Sequence, residues 1–220
     1  MVELEEAMNQ MADDKAPGPD GFTTNFFHAC WGWVKEEILE IVEASRKAWG
    51  VLKAFNATFL TLIPKETGET DPSKFCPIAL CNVIYKIITK LISNRLRTLL
   101  SKIISPKQEG FVEGRKILDG IIIVHETIRS LKSTKSSGMM LKLDLSKVYD
   151  KLNWRFLDDM LKTFSFHAHW VDWVLNLVSS VFFSILVNGT PTQPFASSRG
   201  IRQGDPLSPF LLIIITEVLG

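Results

Sequence analysis

Very little in this chain is in excess, and the deficits narrow what it can be. Its 220 residues contain three cysteines, Cys30, Cys76 and Cys81. They form neither a CxxC pair nor a spaced framework, which excludes a disulfide scaffold and points to a reducing compartment. Net charge is equally scarce. Twenty-five Lys and Arg against 24 Asp and Glu leave +1 at pH 7. No general basic field draws nucleic acid, so any such binding must rest on local patches. Long hydrophobic runs are missing too. The longest, Phe182–Val187 and Phe210–Ile215, fall far short of the about 20 residues that cross a bilayer. The N-terminal run Val2–Met8 is acidic and amphipathic, which is not the pattern of a secretory leader. The expectation is an intracellular chain, nuclear or cytoplasmic, not secreted and without a membrane segment.

What is present is an ordinary globular composition, 46% hydrophobic and 22% charged, with length for one large domain or two small subdomains. Residues 2–12 read as a short helix with Leu4, Met8 and Met11 on one face. The helix breaks at Lys15-Ala16-Pro17-Gly18-Pro19-Asp20-Gly21. A helical region follows from Thr24 to Trp49, with Gly50 as its C-cap. Phe55–Ile63 is rich in β-branched and aromatic residues and reads as a strand ended by Pro64.

The spacing of Ile84, Ile87, Ile88, Leu91, Leu99 and Leu100 predicts a helix over Asn82–Ile103. Its Lys86, Lys90 and Arg97 share another face, with Arg95 nearby: either a solvated face or a phosphate-tracking surface. A turn at Ser105-Pro106 leads to Phe111–Arg115, a helix at Leu118–Leu131 and a polar linker, Lys132–Gly138. Met140–Leu145 alternates, Leu141, Leu143 and Leu145 on one side and Met140, Lys142 and Asp144 on the other. That is the pattern of a strand presenting one carboxylate opposite its apolar face. Trp154–Phe164 is helical again. Asn188-Gly189, between Phe182–Val187 and Thr190–Phe195, predicts a hairpin. Asp205-Pro206 reads as an N-cap and first turn of a helix through Leu219. Strands and helices mix without a βαβ repeat, so the class is α+β.

Two stretches carry chemistry. Arg199-Gly200-Ile201-Arg202-Gln203-Gly204-Asp205-Pro206-Leu207-Ser208-Pro209 packs donors and two glycines into a loop whose backbone can approach a polyanion closely. Upstream, Lys142–Asp150 sets Asp144 on the predicted strand, where it could serve as one carboxylate ligand of a two-metal phosphoryl-transfer site or simply cap a turn. Asp150 falls past that strand and reads as a structural hydrogen-bonding group. Taken alone, Tyr149 is a half-buried aromatic. The four histidines do not cluster, and His167 and His169 read as surface or interface residues.

Together with KAPGPDGF at Lys15–Phe22, LIPK at Leu62–Lys65, FCPIALCNVIYKIITKLISNRL from Phe75, and QEGFVEGR at Gln108–Arg115, these stretches resemble the reverse transcriptases of LINE-type non-LTR retrotransposons, and among them the plant members. The resemblance covers nearly the whole chain, in family order. It implies right-hand polymerase fingers and a partial palm: residues 1–138 as N-terminal extension and fingers, and 139–220 as palm (139–180 and 199–220) with a fingers hairpin at 181–196. By this resemblance Asp144 is the first catalytic aspartate, with the Leu145 backbone beside it in a Mg²⁺ site. Tyr149 is the sugar gate, and Gln203 and Gly204 are the loop at the incoming nucleotide. Lys65 lies near the triphosphate, and Arg115, Lys86, Lys90 and Arg202 are on the nucleic acid. The implied partners are an RNA template, a DNA primer and dNTPs, with no further small-molecule cofactor.

The chain departs from the family pattern at Cys76, where arginine is usual before Pro-Ile, and at Val148, where alanine is usual. The family's second carboxylate pair, an aromatic-x-Asp-Asp hairpin with the palm strand, falls beyond Gly220. Phe156-Leu157-Asp158-Asp159 fits its letters but precedes the glutamine loop and lies in a helical pattern. The expectation is therefore a polymerase domain fragment with an incomplete two-ion site and without the thumb. The alternatives are a non-catalytic retrotransposon remnant that at most binds nucleic acid, and a group II intron maturase-like splicing factor.

Overall fold

Gly18 shows how the N-terminal third is fastened. In the computed structural model, which describes residues 1–219, the Lys15–Gly21 loop lies flat on Asn82. A Cβ on Gly18 would sit 2.3 Å from Asn82 Oδ1, so only glycine permits the approach. Asn82 is buried. Its Oδ1 accepts from Asp20 N (3.2 Å) and its Nδ2 donates to Ala54 O (3.1 Å) and Phe55 O (3.3 Å). One amide thus ties the loop to the main body.

Before that loop, α1 (Val2–Asn9) buries Leu4, Ala7 and Met8. The loop is followed by α2 (Thr24–Ala48), capped by Thr23 Oγ1, which accepts from Phe26 N at 3.3 Å. The expected glycine C-cap is displaced by one residue: Trp49, not Gly50, takes the left-handed conformation at φ 50°. Gly50 serves packing instead, since a Cβ there would meet Asn176 Oδ1 at 2.9 Å. A short α3 (Lys53–Asn56), which no sequence signal marked, precedes β1 (Ala57–Pro64). β1 pairs antiparallel with β2 (Phe75–Cys81), register Thr58↔Cys81 to Pro64↔Phe75.

Helix α4 (Val83–Ile103) follows as the spacing predicts, but its buried stripe is rotated. Tyr85, Ile88, Ile92, Leu96 and Leu100 face inward, while Leu99 is exposed. Beyond it come α5 (Ile117–Thr134) and α6 (Val148–Lys151). Helix α5 extends into the expected linker and buries none of its residues. The strand expected over Met140–Leu145 does not form: these residues are irregular and exposed. Alternation alone does not hold an extended segment, and none of the strands found pairs with this one.

Helix α7 (Trp154–Thr163) carries Asp158 and Asp159 on its outside. Asp158 pairs with Lys162 at 2.7 Å, so Phe156–Asp159 is part of a helix and not a hairpin. An unanticipated α8 (Ala168–Ser179) buries Val171, Trp173, Val174, Leu177 and Val178. The hairpin is found: β3 (Phe182–Val187) turns at Asn188 and Gly189, φ 50° and 79°, as paired left-handed residues allow. Its return strand is split into β4 (Thr190–Pro191) and β5 (Phe195–Ala196), both antiparallel to β3. Pro191 and Pro194 lack the N–H a continuous ladder needs. Between them Thr192 bonds Ile185 through both its backbone N and its Oγ1, 3.0 Å each.

The opposite edge of β3 pairs parallel with β1 from Ala57↔Phe182 to Leu60↔Ile185, giving a sheet in the order β2-β1-β3-β4. The final α9 (Ser208–Thr216) starts two residues later than expected, capped at Leu207 and not Asp205, and a 3-10 turn, Glu217–Leu219, follows. Asp205 still organises that start, accepting from Ser208 Oγ at 3.1 Å. The core lies where α4, α7, α8 and α9 meet behind the sheet. The arrangement is α+β, as expected.

Candidate functional site

The Arg199–Pro209 loop bridges two parts of the molecule through its backbone. On one side Gly200 N donates to Leu152 O (2.7 Å), Ile201 N to Tyr149 O (2.8 Å), and Trp154 Nε1 to Gly200 O (2.7 Å). Gly200 sits at φ 94°, and a Cβ there would come within 3.1 Å of the carbonyl oxygens of Tyr149 and Asp150. On the other side Ala79 N, on β2, donates to Gln203 O at 2.8 Å. Gly204 is at φ 106°, where a Cβ would lie 2.9 Å from Ala79 O. Both glycines are therefore demanded twice, by conformation and by closeness.

This geometry ties the Tyr149 backbone to the loop that carries Gln203 and Gly204. Gln203 and Tyr149 are half-buried and Gly204 is exposed. Burial pushes the Tyr149 hydroxyl above its ordinary value. Cys76, at the position where the family carries arginine, donates through Sγ to Gln203 Oε1 at 3.0 Å. The residue that breaks the pattern thus touches the glutamine directly.

Beside Gly204 a cleft of about 340 Å³ runs between β2, α4 and the N-terminal loop. Lys15, Lys86 and Lys90 line it, and no carboxylate does. Lys86 and Lys90 are both half-buried. Burial, and then the nearby Arg97, hold the Lys90 ammonium below its ordinary value. Lys65 stands apart and exposed at the end of the β1–β2 ribbon, its N bonded to Lys74 O at 3.1 Å.

Two basic residues expected on the nucleic acid are spent inside the protein. Arg202 is 4% exposed. Its guanidinium lies 3.9 Å from the Tyr85 ring centroid and donates to Thr58 Oγ1 (3.2 Å) and Leu177 O (2.5 Å). It cannot also reach a phosphate. Burial works against its charge, while Tyr85, Cys81 and Asp205 together hold it above its ordinary value. Nothing in the sequence marks it as internal, because its partners are 25 to 144 residues distant. Arg115 donates to the carbonyls of Ser105, Gln108 (2.8 Å) and Ile104 (3.2 Å), closing the C-terminal end of α4.

The expected metal set is not assembled. Asp144 and Leu145 lie exposed in the irregular stretch after α5. Among the described residues no three His, Cys, Asp or Glu side chains gather to hold an ion. A divalent cation needs several such oxygens converging, so these residues as placed do not fit a two-ion centre. Among the described residues no helix is long and apolar enough to cross a membrane.

Comparison with known proteins identifies the family. The family described as reverse transcriptase (RNA-dependent DNA polymerase) matches residues 63–220. An uncharacterized 149 kDa transposon protein of Xenopus laevis is 29% identical over an alignment of 227 residues, covering 99% of this chain and 17% of that protein. A retrovirus-related Pol polyprotein from a type-2 retrotransposable element of Drosophila melanogaster is 25% identical over 219 residues, 100% of this chain and 20% of its own length. An uncharacterized mitochondrial protein of Arabidopsis thaliana is 50% identical over 42 residues, 19% of this chain and 34% of its own length. The chain spans a fifth or less of the length of the first two relatives. With the family match running over most of its residues, the chain belongs to the reverse transcriptase (RNA-dependent DNA polymerase) family, and its relatives along the full chain come from non-LTR retrotransposons.

Proposed function

We propose that this chain is the fingers and part of the palm of the RNA-directed DNA polymerase of a non-LTR retrotransposon, and that by itself it holds nucleic acid without extending a primer. The observation that carries the reading is the double fastening of the Arg199–Pro209 loop, to the Tyr149 turn and to β2. It leaves Gly204 exposed at the lysine cleft and Gln203 next to it in sequence, half-buried against Cys76. A glycine backbone open on one side and lysines on the other suit a nucleotide and the phosphates of a template strand. In this reading Tyr149 guards the sugar, Gln203 and Gly204 meet the incoming dNTP, and Lys86 and Lys90 follow the RNA template paired to its DNA primer. Mg²⁺ belongs to the family chemistry, with Asp144 and the Leu145 carbonyl as its first ligands once further carboxylates join them.

A plant element is the favoured source, supported by the 42-residue stretch shared with the Arabidopsis protein. The compartment follows from the substrates: wherever RNA template and dNTPs meet, nuclear or cytoplasmic. The chain is expected to bind an RNA–DNA primer-template and to release it as salt rises. Changing Lys86 and Lys90 to Ala lowers the slope of log affinity against log salt by about 1 for each phosphate no longer neutralised. Primer extension on RNA with Mg²⁺ is expected to give no added nucleotide, because one exposed carboxylate cannot hold two ions. Clear dNTP addition by the purified chain overturns that part, and salt-independent binding overturns the lysine assignment.

A further inference from the structure

Arg202 lies between the two residues that fasten the loop, and its side chain runs the other way. Its neighbours Ile201 and Gln203 bond through their backbones to Tyr149 O and Ala79 N. The guanidinium meanwhile touches four elements at once: Thr58 on β1, Cys81 Sγ at the end of β2 (4.0 Å), the Tyr85 ring on α4, and Leu177 O in α8. Thr58, Cys81 and Tyr85 are themselves at most 1% exposed. A planar, permanently charged group with a fixed fork of donors locks geometry in a way a flexible ammonium does not. A buried cation is costly unless its donors are satisfied, which makes the enclosed position a strict one.

From this geometry we infer that Arg202 is a positioning residue: it does not touch nucleic acid but fixes which way Gln203 points, by clamping the loop between the sheet and α8. The consequence for nucleotide selection rests on the reading of Gln203 given above; the clamp itself does not. Cys76 supplies a reporter, because its Sγ is engaged by Gln203 Oε1. Cys30, half-buried on α2, serves as the internal reference, since Cys81 is itself an Arg202 contact.

The test is the site-resolved alkylation rate of each cysteine by iodoacetamide, read by mass spectrometry on the folded 220-residue chain. In Arg202→Met, Cys76 is expected to react about tenfold faster, the scale set by losing one or two charge-assisted hydrogen bonds, with Cys30 unchanged. Arg202→Lys restores part of the protection. Leu157→Ala weakens the core without removing any contact of Arg202 and leaves the ratio of Cys76 to Cys30 reactivity where it was. A wild-type ratio in folded Arg202→Met overturns the inference, as does an equal rise in Leu157→Ala. Should Arg202→Met fail to fold, Thr58→Val removes one acceptor at nearly constant volume. There a rise of about threefold supports the clamp and no rise overturns it. Cross-linking of a photoreactive dNTP to the Gln203 segment reads the nucleotide assignment separately. Its absence in the wild-type chain counts against that assignment and leaves the alkylation result to judge the clamp.

Discussion

Helices α4 and α5 are neighbours in sequence with similar apolar content and opposite fates. Helix α4 buries Tyr85, Ile87, Ile88, Ile92, Leu96 and Leu100, most of them completely. Helix α5 offers Ile117, Leu118, Ile121, Ile122 and Val124 and leaves all of them exposed. The stretch after it repeats the pattern, with Leu141, Leu143 and Leu145 open to solvent. Both helices have the periodicity of an amphipathic element, and only one has a surface to lie on. Amphipathic spacing therefore specifies a face and not its partner, and helix stability comes mostly from the partner.

The largest effects that sharpen this contrast are in the core. Leu157 on α7 is fully buried. Leu157→Ala is expected to lower unfolding free energy by about 2–5 kcal/mol, through lost transfer energy and the cavity left behind. Ile121→Ala on α5, which is 49% exposed, is expected to change it by no more than about 0.5 kcal/mol. Urea unfolding of the two variants checks the pair, and amide exchange checks the same point without mutation. The α4 amides should exchange only on global unfolding and the α5 amides far faster. Equal protection in both helices breaks the comparison.

The same contrast explains which parts of the molecule the sequence made legible. Asn188-Gly189 announced its hairpin because a type I′ turn is a local demand, met within four residues. Helix α4 was legible because its apolar stripe is long. Helix α8 is not marked in the sequence although Val171, Val174, Leu177 and Val178 have helical spacing. Its N-cap, His167, makes no side-chain cap bond, so no punctuation marks its start. The Met140–Leu145 strand was expected from alternation and is absent, since a strand exists only through a neighbour. At the site, Gln203 and Gly204 were legible from their motif. The inward turn of Arg202 was not, because Thr58, Tyr85 and Leu177 are brought to it only by the finished fold.

An intermediate effect probes the ordered side of the contrast at its most crowded point. Gly18→Ala places a Cβ 2.3 Å from Asn82 Oδ1 and 2.4 Å from Asn82 N. The backbone of the loop or of the β2–α4 junction has to move. A destabilisation of about 1–3 kcal/mol is expected, in the range of overpacked cores. Gly21→Ala, three residues on, meets nothing within 4 Å and carries only the strain of φ 78°. Its smaller loss separates crowding from backbone conformation. Similar losses in the two variants, read by thermal unfolding, sink the packing account of Gly18.

The smallest effect compares two aspartates. Asp144 carries the resemblance to a catalytic centre and is exposed, while Asp205 is 3% exposed. Burial holds the Asp205 carboxyl above its ordinary value of 3.8, against the opposing pull of Arg202 and of hydrogen bonds from Thr89, Leu207 and Ser208. A carboxyl with a raised folded pKa binds more protons folded than unfolded between its two pKa values. Its contribution to stability is therefore greatest below 3.8 and declines as pH rises through the folded pKa. Asp205→Asn removes that titration. The stability of the wild-type chain relative to Asp205→Asn should accordingly fall from pH 4 toward pH 7, read from urea midpoints across the series. A difference that grows with pH overturns the assignment, because it requires a carboxyl stabilised in its charged form. Asp144→Asn at pH 7 should stay within about 0.5 kcal/mol of wild type, as exposed positions do. The aspartate with the catalytic signature is thus the exposed one, and the aspartate inside the glutamine loop is the one built into the fold, buried and bonded to Ser208.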